Sequence, residues 1–239
     1  MYQFESRVRY SETDEQGQLS LTGILNYFQD CSTFQSEDLG MGIQYLKDQD
    51  RAWWLTSWQI VIDRYPALGE KIRVSTWPYD FKGIYGYRNF AISDGKGEYV
   101  ARANSLWFFY DTRNQKPARI QEADIRGYGG PEPRLVMDYA PRKICLPKEY
   151  EEKDTFLVAR HHLDTNHHVN NARYVEMARE LLPEDFRVKE LRVEYKKAAV
   201  LGDYITPRVS RIQQGYVTAL CDPQGGPHAV VWLRSEEKQ

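Results

Sequence analysis

Cysteines and long apolar runs are scarce in this chain of 239 residues. Its three cysteines, Cys31, Cys145 and Cys221, are too few and too scattered for a disulfide framework or a Cys-x-x-Cys metal site. Apolar runs such as 106–110 and 229–233 are far shorter than the roughly 18 residues that a membrane-spanning helix requires. We therefore expect no membrane span.

Charge of one sign is also lacking. Lys and Arg number 32 against 34 Asp and Glu, which gives a formal net charge of −2. This balance argues against a dedicated nucleic-acid or membrane-surface binder. The first residues, Met1–Arg7, lack the basic-then-apolar layout of a signal peptide. The expected location is cytoplasmic.

Apolar and aromatic side chains are abundant enough for a large core. Hydrophobic residues make up 41% of the chain and aromatic residues 13%, which excludes a mainly disordered protein. Glycine and proline are concentrated between residues 126 and 150, a composition that favours a linker. We predict an N-terminal domain over 1–125, a linker over 126–150 and a C-terminal domain over 151–239.

The two halves resemble each other. When the segment after Arg7 is placed over the segment after Leu157, Asp14 matches Asp164 and Leu19 matches Val169. Further on, residues 67–72 match residues 200–205, including a Leu-Gly pair in each. Two matches in the same order indicate a tandem duplication.

Each half reads as a strand, a turn, a helix and then several strands. Apolar residues recur at three- and four-residue steps and predict helices over about Thr22–Leu39 and Asn171–Leu182. Alternating segments predict the strands 58–64, 71–77, 87–93 and 98–110 in the first half, and 191–195, 204–210, 216–221 and 229–233 in the second. The predicted class is α+β, with each helix wrapped by an antiparallel sheet.

Four of the five histidines lie in one short segment, from 161 to 168. If this segment is extended, Asp164, Asn166 and His168 point the same way, just before a helix N-terminus. Histidine can move a proton near neutral pH, and aspartate can orient it. An amide group and helix N–H groups can stabilise an oxyanion. This set suits acyl transfer to water.

Other interpretations of the segment stay open. His161, His162 and His167 are typical of exposed polar turns. A zinc site formed by His162, Asp164 and His168 is conceivable, but no characteristic metal spacing is present.

The comparison of the halves bears on which copy is active. The first half carries Gln16 and Gln18 where the second carries Asn166 and His168. A difference confined to one copy fits one active and one decayed site.

Sequence patterns of other catalytic classes are absent, including a GxSxG nucleophile elbow, GxGxxG, a P-loop and HExxH. Cys31 lies on the apolar stripe of the first helix and is expected in the core, and Trp53–Trp54 could pack in the core or line an acyl pocket.

Three stretches together resemble the acyl-acyl carrier protein (ACP) thioesterases of plants and bacteria. They run from Ile60 to Trp77, from Tyr87 to Trp107 and from Leu163 to Tyr174, the last containing Asp164-Thr165-Asn166-His167-His168-Val169-Asn170-Asn171. The resemblance implies a tandem (double) hot-dog fold and hydrolysis of fatty acyl thioesters carried by ACP. It implies no metal and no dissociable cofactor.

The same resemblance assigns roles to particular residues. Asp164, Asn166 and His168 fall on the family's catalytic Asp, Asn and His. The family's Glu-Cys pair falls on Ala198–Ala199, so a cysteine nucleophile is not available there and water activated by the three polar residues is the simplest mechanism. The acyl chain is expected in an apolar tunnel of the N-terminal domain beside the first helix.

The sequence is compatible with more than one carrier of the acyl group. A basic set, made of Lys189, Arg192, Lys196 and Lys197, could meet the acidic carrier protein or be a solvated face. An acyl-CoA thioesterase and a catalytically inactive acyl-binding hot-dog protein are the alternative functions. The protein could also form a homodimer.

Overall fold

A computed structural model describes residues 1–235, which form two compact units. The first unit contains residues 1–56 and 62–139, and the second contains residues 57–61 together with the chain from Ala140 onward. The division after Tyr139 falls inside the glycine- and proline-rich segment 126–150. The assignment of residues 57–61 to the second unit is not a feature that the sequence predicts. Residues 236–239 of the predicted C-terminal domain lie outside the described residues.

The first unit combines a long helix with an antiparallel sheet. Its helices are α1 (Leu21–Asp38), α2 (Ile43–Asp48) and α3 (Glu122–Gly127). Its strands are β1 (Tyr2–Arg7), β2 (Arg51–Ile62), β3 (Lys71–Lys82), β4 (Tyr85–Asp94), β5 (Tyr99–Asp111) and β6 (Lys116–Pro117). The strand order is β1-β3-β4-β5-β2, and β6 pairs with β5.

The second unit repeats this plan with a shorter helix. It contains α4 (Asn171–Arg179) and the strands β7 (Glu151–Glu152), β8 (Phe156–Leu157), β9 (Glu190–Tyr195), β10 (Tyr204–Ile212), β11 (Gly215–Cys221) and β12 (Pro227–Arg234). The order is β9-β12-β11-β10-β7, β8 pairs with β10, and residues 57–61 of β2 pair antiparallel with β9. Each of the eight strands predicted from alternation coincides with or lies within an observed strand, apart from small shifts at the ends.

Helix α1 forms where the apolar periodicity predicts it. The Ser20 Oγ accepts the Gly23 N–H at 3.0 Å and caps the first turn. Ile24, Phe28 and Cys31 are fully buried on the face that packs on β1 and β3. The Phe28 ring lies 5.3 Å from that of Phe90 on β4. The helix is therefore held mainly by burial of one apolar stripe.

Helix α4 ends earlier than predicted. The sequence predicts a helix to Leu182, but the last helical residue is Arg179. The Arg179 guanidinium donates to the carbonyls of Pro183 at 3.2 Å and Glu184 at 3.0 Å, so it holds a turn that leads out of the helix. Pro183 has no N–H with which to continue the helix, and the buried Leu182 belongs to this turn. No helix within residues 1–235 has the length and apolar character needed to cross a membrane.

The duplication is visible in the backbone hydrogen bonds of the two units. Before each helix the chain makes a short 3-10 turn and then a tight reversal. Isolated bridges join Thr13 to Leu19 and Gln18 to Ala67 in the first unit. The corresponding bridges in the second unit join Leu163 to Val169 and His168 to Val200. The predicted α+β class, with a helix packed on an antiparallel sheet in each half, is confirmed.

Candidate active site

The segment that carries the predicted catalytic residues is a reverse turn. The Asp164 N–H donates to the His168 carbonyl at 2.8 Å, and the His167 N–H donates to the Asp164 carbonyl at 3.1 Å. His167 has a φ of 61°, in the left-handed region that non-glycine residues rarely adopt. The expectation that the segment is extended, with three side chains alternating onto one face, is therefore wrong. Asp164, Asn166 and His168 nevertheless share one tight turn, which the bond from the Asp164 N–H to the His168 carbonyl closes.

The Asp164 carboxylate organises this turn. Its Oδ1 accepts the backbone N–H of Asn166 at 2.7 Å and that of His168 at 3.4 Å. Asp14 makes the same two contacts in the first unit, to Gln16 at 3.1 Å and Gln18 at 2.9 Å. An aspartate that bonds to the backbone two residues ahead stabilises a turn. Through these contacts the Asp164 carboxylate holds the backbone of Asn166 and His168 in place.

The side chains of Asn166 and His168 differ in exposure. Asn166 is exposed at the tip of the turn, and His168 is half-buried where the turn meets the rest of the unit. The His168 backbone bridges to Val200, and the Val169 N–H donates to the Ala199 carbonyl at 2.9 Å. The turn therefore lies alongside the segment that contains Ala198 and Ala199.

Tyr174 connects this neighbouring segment to α4. Its Oη accepts the Ala199 N–H at 2.9 Å, and the Ala199 side chain is fully buried, whereas Ala198 is exposed. Burial raises the pKa of Tyr174 to about 12, and the carboxylates of Asp203 and Asp164 add to this effect. Tyr174 is thus a neutral phenol that fixes Ala199. The sequence singles out Tyr174 only as the last residue of the third family-like stretch, because the contact with Ala199 spans 25 residues.

The N-terminus of α4 offers fewer free donors than the sequence suggests. The Asn170 Oδ1 accepts the Ala172 N–H at 2.9 Å, and the Asn170 carbonyl accepts the Arg173 N–H at 2.9 Å. These bonds cap the helix and occupy two of its first N–H groups. The side-chain amide of Asn166 is therefore the stronger candidate for a donor to a developing oxyanion.

His228 is a second residue that the sequence did not single out. Its ring is almost fully buried, and its carbonyl accepts the N–H of Lys196 at 2.8 Å and that of Lys197 at 3.2 Å. Its Nδ1 lies 3.2 Å from the Lys197 carbonyl, an acceptor, so the tautomer that bonds there carries the proton on Nδ1. This histidine anchors the start of the segment that leads to Ala198 and Ala199. The only sequence signal was its separation from the other histidines.

The remaining histidines of the cluster have separate environments. His161 and His167 are exposed, as predicted, but His162 is half-buried and its Nδ1 accepts the Ala159 N–H at 3.0 Å. Desolvation, together with nearby His161 and Arg173, lowers the pKa of His162. Across residues 1–235, no three His, Cys, Asp or Glu side chains converge so that they could hold a metal ion. The zinc alternative therefore has no support in this geometry.

The cysteines are poorly suited to nucleophilic attack. Cys31 lies in the core as predicted, and burial raises the pKa of its thiol to about 12. Burial also raises the pKa of Cys221, whereas Cys145 is exposed. A thiolate is the reactive form of cysteine, so the two buried cysteines would be almost fully protonated near neutral pH.

Three members of the basic set predicted as a candidate docking surface are engaged by other residues of the second unit. Lys196 pairs with Glu194 at 3.0 Å, and Lys197 pairs with Asp222 at 3.1 Å. The Arg192 guanidinium donates to the Pro141 carbonyl and to the Lys143 carbonyl. These contacts favour a structural role for the set over the capture of an acidic partner.

The two adjacent tryptophans have different environments. Trp53 packs against Phe109 with ring centroids 4.6 Å apart, and its edge faces Tyr128. Trp54 is partly exposed and stacks on Tyr110 at 4.0 Å. Trp53 is therefore a packing residue of the first unit, and Trp54 lies on its surface.

Family models match nearly the whole length of the chain. The acyl-ACP thioesterase N-terminal domain matches residues 1–128, and the acyl-ACP thioesterase C-terminal domain matches residues 146–224. The chain belongs to the acyl-ACP thioesterase family. This confirms the resemblance found in the sequence and agrees with the two-unit organisation.

Individual relatives agree with this assignment, and solved structures share the fold. A dodecanoyl-[acyl-carrier-protein] hydrolase of Cinnamomum camphora is 25% identical over 218 residues, which cover 83% of this chain and 56% of that protein. The chain spans about half the length of the curated relatives it matches. An acyl-ACP thioesterase of Bacteroides thetaiotaomicron superposes with a TM-score of 0.87 at 22% identity, covering 98% of this chain and 97% of that one.

The fold likeness extends to a plant enzyme. The 12:0-ACP thioesterase of Umbellularia californica has a TM-score of 0.85 at 18% identity, over 98% of this chain and 96% of that one. At such low identity the superposition concerns the fold alone. It confirms the tandem hot-dog fold.

Proposed function

We propose that this protein is a thiolester hydrolase that cleaves fatty acyl-ACP into a free fatty acid and ACP, and so acts in fatty acid biosynthesis. The observation that carries the proposal is the turn at Asp164, Asn166 and His168 in a chain of the acyl-ACP thioesterase family. That turn presents an imidazole and a primary amide beside the N-terminus of α4, a combination suited to attack by water on a thioester.

The three side chains have separate roles in this proposal. His168 activates or orients the attacking water, because imidazole can accept and return a proton near neutral pH. The amide of Asn166 holds the carbonyl oxygen or the water. Asp164 positions both through its bonds to their backbone N–H groups. In the first unit, Gln16 and Gln18 occupy the matching places, so that copy has no imidazole at the turn.

No covalent intermediate is needed. The thiol that leaves has a pKa of about 8.5, so strong acid assistance is not essential. At the place of the family's Glu-Cys pair, Ala198 and Ala199 supply neither a nucleophile nor a carboxylate. We propose that water attacks directly, and no metal or dissociable cofactor enters the reaction.

Two alternatives differ from this proposal in ways that experiment separates. The loss of the carboxylate and thiol at Ala198 and Ala199, directly beside the His168 turn, favours an inactive acyl-binding protein as the second candidate. An acyl-CoA thioesterase would share the chemistry and differ only in the carrier.

The acyl chain would lie in the apolar interior of the first unit beside α1, where Ile24, Phe28 and Phe90 are fully buried. The protein would act in the cytoplasm without nucleic acid, and a homodimer is a further proposal.

Turnover of the purified protein on matched panels of acyl-ACP and acyl-CoA tests the function. Both panels should share the same chain lengths, and release of free thiol should be followed. Hydrolysis of acyl-ACP with a higher kcat/KM than acyl-CoA supports the proposal. A preference for acyl-CoA would favour the second carrier, and tight acyl-ACP binding without turnover would favour the inactive protein.

A further inference from the structure

An open cleft on the first unit is lined by more cationic than anionic side chains. It is lined by the end of β1, the start of β3 and the turn between β4 and β5, and it encloses about 600 Å³. The charged residues that line it are Glu5, Arg7, Lys71, Arg73, Asp94 and Lys96. Four of these six are cations, in a protein whose overall net charge is −2.

Both acidic residues of the cleft are already engaged. Glu5 pairs with Arg73 at 2.9 Å. Asp94 pairs with Arg64 at 2.9 Å, and its Oδ1 accepts two backbone N–H groups of its own turn. This leaves Arg7, Lys71 and Lys96, which have no acidic side chain within 4.0 Å among the described residues.

Two of these cations face each other directly. Arg7 and Lys71 are partners in the antiparallel β1–β3 ladder, and both are exposed. Like charges directly opposite on neighbouring strands destabilise a sheet. Because this pairing disfavours folding, fold stability does not explain why both residues are cations.

The second unit shows that the fold does not require this pair. Gly69 donates its N–H to the Val8 carbonyl in the first unit, and Gly202 donates to the Val158 carbonyl in the second, which fixes the correspondence of the two copies. The positions that match Arg7 and Lys71 are Leu157 and Tyr204, which are also partners in an antiparallel ladder. The cation pair is therefore specific to the first copy.

We infer that the cleft formed by Arg7, Lys71 and Lys96 is the docking surface for the acidic acyl carrier protein. This inference rests on the proposed function, which supplies a partner of opposite charge. Exposed cations that lack acidic neighbours can exchange water for carboxylates of the partner without breaking an existing ion pair. Lys196 and Lys197 of the basic set lack this property because each already pairs with a carboxylate.

The double variant Arg7→Glu, Lys96→Glu tests the inference. Arg7→Glu places a carboxylate opposite Lys71, so the melting temperature should be maintained or raised, which separates docking from folding. The KM for acyl-ACP should rise about tenfold or more, with kcat and the KM for acyl-CoA changed by less than about twofold. The wild-type KM for acyl-ACP should also rise with salt, and the variant should show a weaker salt response.

Arg211→Glu is the control, and Arg7→Glu alone is its match, because each variant reverses one arginine. Arg211 is an exposed arginine on β10, it has no acidic partner within 4.0 Å among residues 1–235, and its reversal changes the net charge in the same direction. An unchanged KM in the cleft variant, or an equal rise in Arg211→Glu, overturns the assignment of the cleft while the thioesterase function stands. Failure of the wild-type protein to hydrolyse acyl-ACP overturns the proposed function itself. Binding without turnover can be followed by the anisotropy of fluorescently labelled holo-ACP. The cleft variant should bind holo-ACP more weakly than the wild type and Arg211→Glu do.

Discussion

His168 and Val200 face each other across an isolated antiparallel bridge. This bridge ties the turn that carries the candidate base to the segment that contains Ala198 and Ala199. The next bond along, from the Val169 N–H to the Ala199 carbonyl at 2.9 Å, extends the connection. Changes on either segment should therefore affect the other.

The role of Asp164 predicts different effects for two substitutions. Asp164→Asn keeps an oxygen that can accept the N–H groups of Asn166 and His168, so kcat should stay within about tenfold of wild type. Asp164→Ala removes this acceptor, and the free energy of unfolding should fall by about 1 to 3 kcal/mol. Kinetics and urea unfolding measure the two effects. Asp14→Ala is the control. It should destabilise the matching turn of the first unit to a similar extent and leave the turn at Asp164 intact. An Asp164→Asn variant as inactive as Asp164→Ala, yet normally stable, would show that the negative charge itself is required.

Ala198→Glu should alter the pH dependence of the reaction. Ala198 is exposed, so the longer side chain meets no packing obstacle, and it lies two residues from the bridge partner of His168. A carboxylate near an imidazole favours its charged form, so the acidic limb of the kcat profile should move to higher pH. Ala198→Gln has nearly the same shape without the charge and should leave the limb in place. Identical pH profiles for the two variants would mean that a charge at position 198 has no electrostatic effect on His168.

Tyr174 should contribute to loss of stability in alkali. Its pKa is raised to about 12 in the folded protein, whereas a tyrosine in the unfolded chain ionises near pH 10. The stabilisation is therefore fully present below pH 10 and is lost as the pH rises towards 12. The free energy of unfolding of Tyr174→Phe should therefore fall less than that of the wild type across this interval. The same variant should be less stable at pH 7, because the buried Ala199 N–H loses its acceptor. An alkaline slope equal to that of wild type would contradict this account.

The cysteines should be dispensable for hydrolysis. Cys31, Cys145 and Cys221 changed together to alanine should leave kcat within a few-fold, apart from packing losses at the two buried sites. Pre-steady-state thiol release should show no burst, because no acyl-enzyme accumulates. Mass spectrometry of the quenched reaction provides an independent check. A trapped acyl-cysteine would refute direct attack by water.

Much of the fold could be predicted from the sequence because its signals are local. The apolar steps from Ile24 to Cys31 defined α1 to within a residue at each end, and alternation located the strands. The end of α4 could not be predicted so well, since it depends on the Arg179 guanidinium reaching carbonyls beyond the helix. That contact competes with the helical pattern and is visible only in three dimensions.

The catalytic role of Asp164, Asn166 and His168 stays a prediction, but the extended geometry expected for their segment was wrong. The polar residues were found because they cluster, yet alternation was the wrong rule for a turn. A better signal was present in the first copy, where Asp14 is followed three residues later by Gly17, with a φ of 70°. His167 takes the matching left-handed position, which its own residue type does not reveal. The Tyr174 contact with Ala199 joins distant parts of the chain, so no local pattern predicts it.

The hydrolysis rate of His168→Ala on acyl-ACP tests the central claim most directly. If His168 acts on the attacking water, kcat should fall by about 10²- to 10⁴-fold while the melting temperature and acyl-ACP binding are retained. Asn166→Ala, measured beside it, should lose about 10²- to 10³-fold. Wild-type turnover by His168→Ala would contradict the account.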